Sequence, residues 1–110
     1  MIFAVATDER SLYAFASEEE AIAKCEGLDV EAAGWLFWDS AGNPLEAEFL
    51  TPSKGGLFVV KNGTYRLIPA SPDHHAPLHE AVDEILAFEG QPPFSSREGV
   101  LEFLRGKAGA

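Results

Sequence analysis

The chain has 110 residues, 18 acidic against 8 basic, for a formal charge of -10 and an isoelectric point of about 4.5. That length builds one domain, 1–110, around one core, and 46% hydrophobic with 24% charged residues excludes a disordered or fibrous chain. The negative charge disfavours nucleic acid and anionic membrane, no apolar run approaches the roughly 20 residues of a membrane helix, and the single cysteine excludes an internal disulfide and a multi-cysteine metal site.

The apolar start, Met1 to Ala6, reaches Asp8 and Glu9 at once and carries no basic segment. A secretory signal is therefore not expected, and the predicted location is the cytoplasm. Alternation predicts two strands, 2–6 and 12–15, around the polar turn 7–11, an opening hairpin. Ser17-Glu18-Glu19-Glu20 has the form of a capping box, in which the serine oxygen accepts from a backbone N–H and Glu20 reaches back; acids also favour the positive end of the helix dipole. The helix that starts there has Ala21, Ile22 and Cys25 on its apolar stripe and Gly27 placed to end it.

Trp35-Leu36-Phe37-Trp38 is a run of four large apolar residues, followed by a turn over 39–44 and by the strand 45–50, where Leu45, Ala47 and Phe49 alternate with Glu46 and Glu48. A third hairpin is predicted from 57–60 to 65–68, because Asn62-Gly63 between apolar runs supplies two residues tolerant of positive φ. Pro77 opens a helix with Leu78, Ala81, Val82, Ile85 and Phe88 at a 3.6-residue period, stopped by Gly90 and Pro92-Pro93. Ser95-Ser96-Arg97-Glu98 caps a last helix with Val100, Phe103 and Leu104 on one face and Gly106 beyond its end. The predicted fold is α+β, an antiparallel sheet of about six strands with three helices in the order ββαββββαα.

His74, His75 and His79 lie close to Glu80, Asp83 and Glu84 and are candidates for an acid–base or metal site. Pro77 separates His75 from the helix that carries His79, however, and no second histidine stands where a zincin helix requires one, so a solvated helix start is the simpler reading. Cys25, late in its helix beside Glu26, reads as a core residue rather than a nucleophile. Motifs for serine hydrolases, phosphate loops and dinucleotide folds are absent, and no catalytic residue or cofactor is indicated.

Charge is unevenly spread. Residues 1–50 hold eleven acids against Arg10 and Lys24, a net of -9, while 51–110 hold seven acids against six bases, a net of -1. Glu18, Glu19, Glu20, Glu26, Asp29, Glu31, Asp39, Glu46 and Glu48 fall in turns, at a helix start or on a polar strand face, and such a surface speeds association with a basic partner. The bland alternative is an acidic surface that only keeps the protein soluble. In the aromatic strand, Trp35 and Phe37 share one face and Leu36 and Trp38 the other. Either helices cover both faces, or one tryptophan is exposed as an interface anchor.

The stretches Tyr-Ala-Phe-Ala-Ser-Glu-Glu-Glu-Ala-Ile at 13–22, Cys-Glu-Gly-Leu-Asp-Val-Glu at 25–31, Trp-Leu-Phe-Trp-Asp at 35–39 and Gly-Asn-Pro-Leu at 42–45 together resemble the small bacterial immunity proteins of polymorphic toxin systems. The resemblance covers about the first half of the chain and implies a stoichiometric inhibitor that binds a cognate toxin, with no catalytic residues to carry over. The expected function is a non-catalytic binding protein using the acids above with Trp35 and Trp38 against a basic toxin domain. The alternative is a small enzyme or ligand- or metal-binding domain using His74, His75 or His79.

Overall fold

The computed structural model describes residues 1–25, 30, 34–51, 54–55, 60–61, 64–71 and 73–108. Ile2–Ala6 (β1) and Ser11–Phe15 (β2) form the opening hairpin, with Ile2 opposite Phe15 and Ala6 opposite Ser11. Glu18–Lys24 is α1. Its capping operates as the sequence dictates: Ser17 Oγ accepts from the Glu20 N–H at 3.2 Å, and the Glu20 carboxylate reaches back to the Ala16 N–H at 3.0 Å. A seven-residue helix is marginal alone. It is held by Ala21 and Ile22, which pack on Ile2, Ala4 and Phe37, and by Tyr65, whose hydroxyl donates to the buried Cys25 carbonyl at 2.6 Å. Burial pushes the Tyr65 hydroxyl well above its ordinary pKa. Gly27, the predicted helix stop, lies outside the described residues; Cys25 is the C-cap and is buried.

Trp35–Trp38 (β3) and Pro44–Thr51 (β4) follow, joined by a turn that Asp39 builds. Its carboxylate accepts from the N–H groups of Ala41 and Asn43, and Gly42 takes φ +84°, a value that favours glycine. Lys54–Gly55 (β5) and Val60–Lys61 (β6) make a separate two-stranded sheet, and Thr64–Pro69 is β7. Leu78–Ala81 is α2, continued by a 3-10 turn over Val82–Glu84; Ala87–Phe88 is β8 and Arg97–Ala108 is α3. The main sheet is mixed, in the order β7-β4-β3-β1-β2-β8. The fold is α+β, with six strands in the main sheet and, among the elements given ranges above, three helices, in the chain order the pattern predicts.

Three local expectations change. Of the predicted hairpin from 57–60 to 65–68, residues 57–59 lie outside the described residues; Val60 pairs with Gly55 of β5, and β7 pairs with β4, where Tyr65 lies opposite Phe49 and Arg66 opposite Glu48. An aromatic pair and a cross-strand ion pair reward that longer ladder. Asn62-Gly63 lies outside the described residues. The helix predicted from Pro77 to Phe88 stops early, since Ile85 is already extended and Phe88 lies in β8, parallel to β2. Leu86 N–H donates to the Arg10 carbonyl and Glu89 N–H to the Leu12 carbonyl, satisfying an edge that a continuous helix would leave open. Lastly, Ser96 Oγ accepts from the Gly99 N–H, so Ser96 rather than Ser95 caps α3, and Gly106 lies inside that helix.

Two cores flank the sheet. On one face α1 covers Ile2, Ala4, Phe37, Leu45 and Tyr65; on the other α2 and α3 cover Phe3, Leu12 and Trp38 with Leu78, Val82 and Val100. Helices therefore cover both faces of β3, which is why its aromatic run has no polar side. Among the described residues no helix is long and apolar enough to cross a membrane.

Candidate functional site

The sheet opens between β3 and β4. These strands pair only where Phe37 faces Leu45 and Trp38 faces Pro44. Beyond that point β3 stays with β1 as far as the Trp35–Ala6 pair, while β4 stays with β7. A cavity of about 270 Å³ occupies the opening, walled by Trp35 and Phe37 from β3 and by Leu45, Ala47 and Phe49 from β4. Glu46 and His74 also line it. Strand alternation places Glu46 on the opposite sheet face from Leu45 and Ala47, so the cavity joins an apolar end to a polar one. The aromatic walls are braced from behind: the Tyr13 ring lies 5.6 Å from Trp35, and the Tyr65 ring lies 5.4 Å from Phe49.

At the polar end two histidines form a short relay. His75 Nε2 lies 2.9 Å from the Phe37 carbonyl, which can only accept, so this nitrogen carries the proton. In neutral His75 the remaining Nδ1 is then an acceptor, and it meets His74 Nδ1 at 2.6 Å. His74 Nε2 lies 3.5 Å from a Glu46 carboxylate oxygen. The neighbouring segment is anchored by Trp38, whose indole N–H donates to the Ala76 carbonyl at 2.8 Å and whose ring meets His75 edge-on. Both nitrogens of His75 are thus taken by internal partners. His79 does not join them; it lines a different cavity with Leu101, Leu104 and Arg105. Among the described residues no group of three or more His, Cys, Asp or Glu side chains is placed to hold a metal ion.

Burial pushes the His75 pKa below the ordinary histidine value of 6.5, opposed by its hydrogen bond to Phe37 and by Glu46 and reinforced by His74. Below 6.5 the unfolded chain binds this proton more readily than the folded one, so the contribution is complete above 6.5 and is lost as the pH falls. Urea midpoints should therefore drop on acidification through this range. His75→Gln, which keeps a donor toward Phe37, should flatten that part of the profile; an unchanged slope would remove His75 as its source.

A second depression lies on the α2 side of β3. About 440 Å³ is enclosed by Leu36, Trp38, His75, Glu80 and Glu84, and an adjoining 150 Å³ by Val5, Arg10 and Ile85, with Leu36, Trp38, Ala81 and Glu84 common to both. The result is one groove with an apolar floor. Glu80 and Glu84 are exposed along its rim.

The acids predicted as a binding surface are spread over both sheet faces, and several serve the fold. Glu18 accepts from the Leu67 N–H of the edge strand β7 at 2.6 Å, tying α1 to the sheet, and Glu20 and Asp39 cap as described. Glu48 pairs with Arg66, and Glu46 faces His74. Glu19 is exposed in the first turn of α1. Glu26, Asp29 and Glu31 lie outside the described residues. Of the tryptophans, Trp35 is half-buried in the cavity wall, whereas Trp38 is 1% exposed and belongs to the core. The groove acids Glu80 and Glu84 were visible in sequence only as neighbours of the histidines; their four-residue spacing hints at a shared helical face, but nothing local says that Leu36 lies beside it. Compared with protein-family models, curated proteins and solved structures, this chain matches none.

Proposed function

We propose that this is a non-catalytic binding protein that neutralises a basic toxin domain in the bacterial cytoplasm by stoichiometric association, and that the groove over Leu36 is its contact surface. The observation that carries this reading is an apolar floor beside carboxylates, Glu80 and Glu84, the arrangement of a desolvating interface centre with a polar rim. Glu46 and Glu48 lie on the same sheet face, and the overall charge of -10 steers a cationic partner toward it. Internal engagement of both His75 nitrogens supports binding over acid–base chemistry, which needs a nitrogen facing the substrate. Glu18 and Glu20 are weaker candidates for contact because each already holds a backbone N–H.

The test uses a basic partner captured stoichiometrically by the tagged full chain at low salt. Glu80→Lys combined with Glu84→Lys should slow association about tenfold at low salt, with the difference shrinking as salt screens the charges. Both side chains are exposed, so the circular dichroism spectrum should be unchanged. If Glu19→Lys slows association and the groove variant does not, the contact surface is α1, not the groove. Failure to capture a basic partner while it is expressed would remove the neutralisation reading.

A further inference from the structure

The geometry points to a binding site for an organic cation, an alkylammonium group, in the opening between β3 and β4. This goes beyond the partner reading: the opening meets the α2 groove at Leu36, which lines both, but its aromatic walls belong to it alone and its ligand chemistry can be tested without any partner. Trp35 and Phe49 come from strands on opposite sides of the gap, Phe37 lines it beside them, and Glu46, whose side chain leaves the opposite sheet face toward His74, lines the polar end of the same cavity. Aromatic rings present negative faces to a cation and hold its methyl groups by dispersion.

Three ligand classes can be compared on these groups. A purely apolar molecule would fill the space but strip water from the Glu46 carboxylate without replacing it. An anion would meet that carboxylate in a protein already carrying -10. An alkylammonium satisfies both the rings and the carboxylate. His74 occupies only one side of Glu46, approaching Oε2 at 3.5 Å, and among the described residues no donor is placed on Oε1. A volume of about 270 Å³ suits a small amine or the end of one methylated side chain, not a larger cofactor. The walls are already in position, since Tyr13 backs Trp35 and Tyr65 backs Phe37 and Phe49, so binding needs little ordering of side chains.

The test is a titration of the full chain with choline and with its neutral isostere 3,3-dimethylbutan-1-ol, at about pH 8, above the ordinary histidine range. Binding is followed by tryptophan emission and by ligand-detected NMR. Choline should bind saturably and at least about tenfold more tightly than the neutral alcohol. Glu46→Gln should reduce choline affinity several-fold and leave the alcohol unaffected; Phe49→Leu should reduce it while conserving apolar lining. A blocked trimethyl-lysine amide separates the two sources of the same chemistry. Binding as tight as choline assigns the site to a protein side chain, and markedly weaker binding assigns it to a free small amine. Equal affinity for choline and the alcohol, or no saturation by either at about 0.1 M, overturns the proposal.

Discussion

Trp38→Ala should lower the unfolding free energy by about 3–5 kcal/mol, the range for emptying a large aromatic site in a packed core. The side chain is 1% exposed and sits among Phe3, Val5, Leu78 and Val82, between the sheet and the helices that cover it. Its loss has a polar component as well. The indole N–H is the donor to the Ala76 carbonyl, and its ring packs edge-on against His75, so removal also loosens the segment that carries the histidine relay. Domains of this size have about 5–15 kcal/mol of stability in total, so the variant should be marginal or unfolded at 37 °C. Trp38→Phe, which keeps most of the volume and loses the donor, should cost less. Urea denaturation checks both; a loss below about 1 kcal/mol for the alanine variant would show that this core collapses around the missing ring.

Gly99→Ala and Gly106→Ala should change stability in opposite directions, although both lie in α3. In an exposed helix, alanine in place of glycine gains up to about 1 kcal/mol through the entropy of the unfolded chain. Gly106 has nothing within 4 Å of an added Cβ and should show that gain. At Gly99 the added Cβ would stand 1.8 Å from the Pro93 carbonyl oxygen and 2.9 Å from the Pro93 carbonyl carbon. These are backbone atoms and cannot rotate away. The segment before α3 must move off the helix or the helix must start later, losing the Ser96 cap on the Gly99 N–H, and overpacking of this kind costs about 1–3 kcal/mol. Thermal melts of the pair give the answer directly. Stabilisation by Gly99→Ala would mean that Pro93 does not press on α3.

Much of the architecture was legible because its causes are local. The capping box at Ser17, the Asp39 turn with glycine at its left-handed position and the two faces of Trp35-Leu36-Phe37-Trp38 follow from side chains acting within a few residues of themselves. The groove and the histidine relay were less legible. His75 is held by the Phe37 carbonyl, 38 residues away in sequence, and Glu18 by the Leu67 N–H, 49 residues away. No local pattern announces such partners.

The acidic half of the chain shows the same division. Its charge could be counted from sequence, but β4 alternation turns Glu46 and Glu48 away from the face that carries Glu18, Glu19 and Glu20, so the predicted patch divides between two faces. Phe88 makes the contrast sharpest. Its 3.6-residue spacing from Leu78 fits a helix, yet the open hydrogen-bonding edge of β2 draws 87–88 into the sheet, where Phe88 reaches the same core. By itself the sequence determined the α+β class, the element order, the Ser17 cap and the faces of the aromatic strand, all set by short-range sterics and hydrogen bonds. Tertiary structure alone decided which edges pair, where β3 and β4 part, and which carboxylates share a cavity with apolar side chains, because those outcomes depend on backbone groups and surfaces that meet only when distant segments pack.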